Sequence, residues 1–143
     1  MRWFRRVLTL IAVVLAAAFI TALVRSSSDR IGSAPTAGLA AVAGLPADAT
    51  DIHWFLPGGF GPNYIYNFKT SRKSFEAWVS GFPDLEGPHT GRYSILVYDA
   101  RTSSFENHEI EDAIAYDWTE EDRGQYVAYD LLTGRAYYHS HTR

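Results

Sequence analysis

The sequence predicts an α+β fold: an N-terminal transmembrane helix, then a largely antiparallel sheet of about five to six strands with one amphipathic helix packed on one face. Three observations predict it. Residues 7–24 are apolar and uncharged over 18 positions. Several later segments alternate aromatic or branched residues with polar ones, as half-buried strands do. One segment, 75–82, has apolar residues at helical spacing instead.

The apolar run 7–24 is long enough for a membrane-spanning helix, because 18 residues at about 1.5 Å each give roughly 27 Å against a hydrocarbon core of about 30 Å. It continues past the small residues 16–18, which favours a retained anchor over a cleaved signal peptide. Arg2, Arg5 and Arg6 mark the cytoplasmic side. We therefore expect a single-pass protein of the inner or plasma membrane, with its C-terminal domain in the periplasm or outside the cell.

Composition divides the remaining chain. Residues 26–44 are dominated by Ser, Ala, Gly and Pro, which is typical of a flexible linker. The predicted parts are thus an anchor at 1–25, the linker at 26–44 and an exported α+β domain at 45–143. The chain contains no cysteine, so neither a lipid-bearing cysteine nor a disulfide is available to it. The core of the domain must hold the fold alone.

The predicted strands are short runs rich in aromatic and branched residues. They lie at 52–55, 64–69, 93–98, 114–118, 126–131 and 136–139. The helix is predicted from Phe75, Trp78, Val79 and Phe82, which share one helical face, with Thr70 or Ser71 as its N-cap.

Charge and motifs exclude several functions. Residues 31–143 carry eight basic and fifteen acidic side chains, a balance that repels nucleic acid. The glycine-rich stretch 55–62 leads into a strand, whereas a phosphate cradle requires a helix to follow. No Walker, G-x-S-x-G or H-E-x-x-H pattern is present. We expect no nucleotide, nucleic acid, metal or other cofactor.

Histidines offer the alternative interpretation, a small secreted or envelope hydrolase or a metal-dependent enzyme. His139 and His141 fall on one face of the last predicted strand, and His53 or His108 would supply a third ligand. Because the pair lies close to the end of the sequence, we expect a solvated tail there instead.

A resemblance rests on two motifs. Leu45-Pro46-x-x-Ala49-x-x-Ile52 opens the predicted domain, and Asp130-x-x-Thr133-Gly134-x-x-Tyr137-Tyr138 closes it with a hairpin. With these motifs the chain resembles small uncharacterised bacterial membrane-anchored or lipoprotein-type α+β domains. The resemblance implies fold and location, and it carries over no functional residue because the group has no assigned activity.

The predicted function is that of a non-catalytic exported domain that binds a protein or another component of the cell envelope. Residues 31–143 contain 18 aromatic side chains, more than a core of this size must hide. Aromatic residues are favoured at the centres of interfaces. The predicted contact residues, chosen because they lie near strand ends or turns, are Trp54, Tyr64, Trp118 and Tyr138.

Overall fold

The computed structural model describes residues 11–21, 28–59 and 63–142. Its main feature is a seven-stranded sheet in which all neighbouring strands run antiparallel. The strands are β1 (Arg30–Thr36), β2 (Thr50–Leu56), β3 (Asn63–Lys69), β4 (Glu86–Asp99), β5 (Ser104–Glu120), β6 (Arg123–Asp130) and β7 (Arg135–Thr142). Their order across the sheet is β1-β2-β3-β7-β6-β5-β4. A 3₁₀-helix (Ala37–Leu39) follows β1, and helix α1 (Arg72–Val79) follows β3.

The predicted transmembrane helix is wrong. Residues 11–21 are helical, and among the described residues no helix is long and apolar enough to cross a membrane. The remaining parts of the predicted span, 7–10 and 22–24, lie outside the described residues. The fold class is therefore corrected to a mostly antiparallel sheet with short helices, and the expectation of a membrane or signal-anchor protein is corrected with it.

The sheet is also larger than the predicted five to six strands. The additional strand is β1, formed by residues that lie within the predicted linker 26–44. It pairs with β2 at the sheet edge, where Ala34 lies opposite Ile52 and Gly32 opposite Trp54. At position 32 an added Cβ would lie 2.6 Å from the Trp54 ring, so glycine suits this place in the strand. A composition typical of linkers is therefore compatible with a strand here.

Helix α1 lies between β3 and β4 in sequence and covers one face of the sheet. Ser71 is its N-cap, and its hydroxyl accepts a hydrogen bond from the backbone N–H of Ser74 at 3.2 Å. The helix buries Phe75 and Val79 against the sheet. We call the side of the sheet covered by α1 the helix face; its buried core comprises Ala49, Ile52, Tyr66, Phe68, Phe75, Val79, Ile114, Val127, Tyr129, Ala136 and Tyr138.

The opposite side of the sheet, which we call the hairpin face, is covered by the hairpin of strands β4 and β5. Strands β4 and β5 form a long hairpin that bends back over the sheet, and β4 contacts β3 and β7, which are not its sheet neighbours. A second core lies beneath the hairpin; its buried members are Ile95, Ile110, Ala113, Ala115, Ala128 and Tyr137. The bend brings the turn of this hairpin, residues 100–103, toward the β1 end of the sheet.

Candidate functional site

A cleft opens on the hairpin face where the hairpin turn reaches over β1, β2 and β3. Its volume is about 390 Å³, within the range of pockets that hold small ligands. The residues that line it are Ile31, Gly32, His53, Trp54, Phe55, Ile65, Tyr66, Asn67, Tyr98, Asp99, Ala100, Arg101 and Arg135. We call this site the tip cleft.

The floor of the tip cleft is apolar and aromatic. The ring of Phe55 lies 4.7 Å from that of Tyr98 and 5.0 Å from that of Phe105, the latter in an edge-to-face arrangement. Phe105, in the strand that follows the turn, is 43% exposed, and Ile31 on the edge strand is 50% exposed. Apolar surface is therefore accessible to solvent beside a cleft that already has an aromatic floor.

One side of the tip cleft carries a partly buried guanidinium, that of Arg135, whose side chain is 16% exposed. Arg135 donates hydrogen bonds to the backbone carbonyl and the carboxylate of Asp51 and to Oδ1 of Asn67. The Asp51 carboxylate also contacts His53 Nε2 at 2.9 Å and Lys69 Nζ at 3.9 Å. The hydrogen bond with His53, followed by the charge of Arg135, lowers the pKa of Asp51 against the opposing effect of burial.

The other side of the tip cleft is the hairpin turn. Asp99 Oδ1 accepts hydrogen bonds from the backbone N–H of Arg101 at 2.8 Å and from its Nε at 3.3 Å. These bonds lower the pKa of Asp99. The guanidinium of Arg101 is otherwise free to reach toward a ligand, because its side chain is 90% exposed.

The four predicted contact residues lie on the helix face. Tyr138 is buried and its ring stacks on Tyr66 at 4.5 Å, while Trp54 and Trp118 are half-buried. Only Tyr64 is largely exposed, at 42%. Tyr64 and Trp118 fall in one row across the sheet but are three strand spacings apart, about 14 Å. The structure does not bring the four side chains together.

The four histidines of the alternative interpretation are also dispersed. His53 contacts Asp51, and His108 contacts the Tyr137 hydroxyl at 3.1 Å. The rings of His139 and His141 lie 5.6 Å apart in a tilted arrangement. Among the described residues no group of three or more His, Cys, Asp or Glu is arranged to hold a metal ion.

The expectation of a solvated tail at His139 and His141 is wrong. Both lie in β7, which is the central strand of the sheet, and His139 is buried. Its ring stacks on Tyr126 at 5.4 Å, and its Nε2 is 3.5 Å from Oδ1 of Asn63. A strand paired on both sides does not fray as an edge segment does.

The tip cleft was not predicted from the sequence. Its parts come from β1, β2, β3, β7 and the hairpin turn, and only the bend of the hairpin brings them together. Two sequence signals pointed to parts of it: Trp54, a predicted contact residue that also lines the cleft, and Ile31, a large apolar residue in a stretch otherwise composed of small and polar ones.

No family model matches the chain, and no curated protein or solved structure matches it either.

Proposed function

We propose that this protein is a non-catalytic exported domain that binds a component of the cell envelope in the tip cleft. The observation that carries the proposal is the exposed aromatic and aliphatic surface around Phe55, formed by Ile31, Tyr98 and Phe105. A ligand that covers this apolar surface gains about 25 cal/mol of binding free energy per Å² removed from water. Guanidinium groups at its rim supply directional contacts.

The arrangement of the polar groups favours binding over catalysis. Ser33 lies opposite His53 in the β1–β2 pair, and His53 contacts Asp51, which is the set of residue types used in hydrolases. Among the described residues, however, no hydrogen bond joins Ser33 to His53. Arg135 also holds Asp51 by direct hydrogen bonds. The Asp51 carboxylate therefore serves to hold a guanidinium in place.

Export is part of the proposal. The apolar helical residues 11–21, preceded by Arg2, Arg5 and Arg6, support passage out of the cytoplasm. Fractionation of the native host tests this: we expect the protein in the periplasmic or extracellular fraction, and recovery with a cytoplasmic marker would contradict export.

Retention of solubilised envelope material on the immobilised protein tests the binding function. The double variant Ile31→Ser/Phe105→Ser removes exposed apolar side chains at the tip cleft. The matched control Leu39→Ser/Leu132→Ser removes two exposed apolar side chains elsewhere, 71% and 76% exposed. We expect the wild type and the control variant to retain the same component in similar amounts. We expect the cleft variant to retain at least tenfold less of it. Equal retention by both variants would refute the proposal.

A further inference from the structure

We propose that the group bound in the tip cleft is a carboxylate carried on an apolar body about the size of an aromatic ring. This inference rests on the proposed function, because it specifies the ligand of the same cleft. It follows from the hydrogen-bonding capacity that remains at the rim, from the apolar floor and from the local charge.

The acceptors at the rim are already occupied. Asp51 accepts from Arg135 and His53, and Asp99 accepts from the backbone and the guanidinium of Arg101. Oδ1 of Asn67 accepts from Arg135. A ligand that brings mainly donors would therefore share oxygens that already accept at least one hydrogen bond each, and so gains less from them than from an unengaged acceptor.

Donors, in contrast, remain. A guanidinium has five N–H groups, and Arg101 uses one at Nε and one at Nη2 for Asp99. Arg135 uses three of its five for Asp51 and Asn67. Because Oδ1 of Asn67 faces Arg135, the amide NH₂ of Asn67 points elsewhere. Within the described part of the chain, the remaining N–H groups have no protein partner and suit an acceptor such as a carboxylate.

The local charge is compatible with an anionic group. Among the residues that line the cleft, Arg101 and Arg135 are basic and Asp99 is acidic. With Asp51 and Lys69 behind Arg135, and Glu106 near Arg101, the surroundings hold three basic and three acidic side chains, whereas residues 31–143 as a whole have many more acidic than basic ones. An anion is therefore repelled less at this place than by most of the remaining surface.

The floor selects the rest of the ligand. Phe55 and Ile65 are buried beneath the cleft, so the apolar surface left for a flat or aliphatic body is that of the half-buried Tyr98 and the exposed Ile31. Rings pack beside it in tilted or edge-to-face arrangements. An inorganic anion would use the rim but leave this apolar surface in contact with water. A carboxylate attached to a ring uses both, so its affinity exceeds that of the bare anion.

Amide NMR of the full-length protein tests the inference with three probes: 3-phenylpropionate, its neutral amide 3-phenylpropionamide, and inorganic phosphate. We expect saturable shifts at Phe55, Tyr98 and Arg101 with 3-phenylpropionate, and affinities at least tenfold weaker for the amide and for phosphate. Absence of saturable shifts with 3-phenylpropionate, or equal affinity for the amide, would overturn the proposal.

A variant pair separates the rim from general charge. Arg101→Gln removes the exposed guanidinium of the turn, and we expect it to weaken 3-phenylpropionate binding at least fivefold. Arg92→Gln is the matched control, since Arg92 is likewise exposed and paired with a carboxylate, Glu111, away from the tip cleft. Equal affinity of both variants and the wild type would refute the role of the rim.

A competition experiment between 3-phenylpropionate and the retained envelope component identifies the source of the carboxylate. It also distinguishes failure of the carboxylate inference from failure of the proposed envelope-binding function. If 3-phenylpropionate displaces the retained envelope component, a larger molecule presents the carboxyl group. If 3-phenylpropionate binds and no envelope component is retained, the ligand is a free small carboxylate and the envelope function is refuted. If an envelope component is retained through Ile31 and Phe105 and 3-phenylpropionate does not bind, the carboxylate inference alone is wrong.

Discussion

At the scale of single residues, short polar side chains determine the turns. Asp130 ends β6, and its Oδ1 accepts hydrogen bonds from the backbone N–H groups of Leu132 at 2.8 Å and Thr133 at 3.3 Å. The Thr133 hydroxyl donates to Oδ2 at 2.7 Å. Gly134 then adopts a φ of 69°, a conformation that costs glycine little. The Asp-x-x-Thr-Gly motif is thus explained by the hairpin that it closes.

Asp48 connects the segment before β2 to the start of α1. Its carboxylate accepts from the Thr70 hydroxyl at 2.6 Å and from the Ser71 N–H at 3.1 Å. Burial opposes ionisation, but these hydrogen bonds outweigh it and lower the pKa of Asp48 to about 2.

We therefore expect Asp48→Ala to lower the free energy of unfolding by about 1 kcal/mol at neutral pH. The contribution of the carboxylate is present above pH 3.8, its ordinary pKa, and is lost as the pH falls through about 2. Urea unfolding at several pH values measures this. Asp122→Ala, in the exposed turn after β5, is the control and should change little; an equal loss in both variants would contradict the role of Asp48.

His139 also makes the stability of the fold depend on pH, in a higher pH range than Asp48 does. Burial, and then the neighbouring His141, lowers the pKa of His139 from 6.5 to about 4. Between these values the unfolded chain binds a proton that the folded chain excludes, so stability falls as the pH falls from 6.5 to 4. The groups that face the His139 ring are Asn63, Tyr126 and His141.

We expect the wild type to lose on the order of 2 kcal/mol of unfolding free energy between pH 6.5 and 4.5 through this group. His139→Phe should remove that part of the pH dependence, whereas His53→Gln, at an exposed position, should retain it. Chemical denaturation across this pH range measures the slope. An unchanged slope in His139→Phe would show that another group is responsible.

At the scale of elements, β1 depends on a close approach between Gly32 and Trp54. A Cβ at position 32 would lie 2.6 Å from Cζ2 and 2.9 Å from Cε2 of the Trp54 ring. Real Cβ atoms do not approach a ring so closely, so either the indole or the strand must move.

Gly32→Ala should therefore destabilise the protein by about 1 to 3 kcal/mol and shift the fluorescence of Trp54. Gly38→Ala is the matched control, since an added Cβ there meets nothing within 4 Å. Thermal unfolding of both variants, followed by fluorescence, gives the comparison. Equal melting temperatures for the two variants would mean that β1 does not pack on β2 in this way.

Deletions test β1 as a whole. Removal of residues 1–27 leaves Ser28, Asp29 and β1; the Asp29 carboxylate accepts from the Gly58 N–H at 3.0 Å. Removal of residues 1–36 also deletes β1 and uncovers Ile52, which is fully buried. We expect the shorter deletion to be nearly neutral and the longer one to cost about 3 kcal/mol or more in unfolding free energy. Similar stabilities would indicate that residues 30–36 act as a linker.

At the scale of the whole molecule, β7 holds the two halves of the sheet together. It pairs with β3 on one side and with β6 on the other, along almost its entire length. Without it, β1–β3 and β4–β6 would each have an open edge and an uncovered core surface. The contacts that close the fold therefore join residues 63–69 to residues 135–141, far apart in sequence.

A chain that ends at Gly134 should consequently fail to fold, and a synthetic peptide of residues 135–143 should restore the fold in trans. Dispersion of amide NMR signals measures both states. A peptide of the same composition in scrambled order is the control and should restore nothing. Native-like dispersion in the truncated chain alone would refute the central role of β7.

The sequence by itself determined the local features. Alternating aromatic residues predicted strands where β2, β3, β6 and β7 lie, and helical spacing with Ser71 as a possible N-cap predicted α1, because both patterns depend on neighbours within a few residues. It did not determine the ends of β4 and β5, whose charged residues at 106–112 hide their alternation. Strand β1 was missed because its small residues are typical of a linker, and the packing of Gly32 against the Trp54 ring depends on a contact distant in sequence.

Only the tertiary structure decided which surface is available for binding. The predicted aromatic residues Trp54, Trp118 and Tyr138 are wholly or partly buried on the helix face; Tyr138 packs against Trp78 and Phe82, and Trp54 packs against the core of that face. The tip cleft exists because a long hairpin bends across the sheet and brings Arg101 to the same cleft as Phe55 and Arg135. Burial and proximity of this kind depend on contacts between distant residues, which periodicity along the chain does not encode.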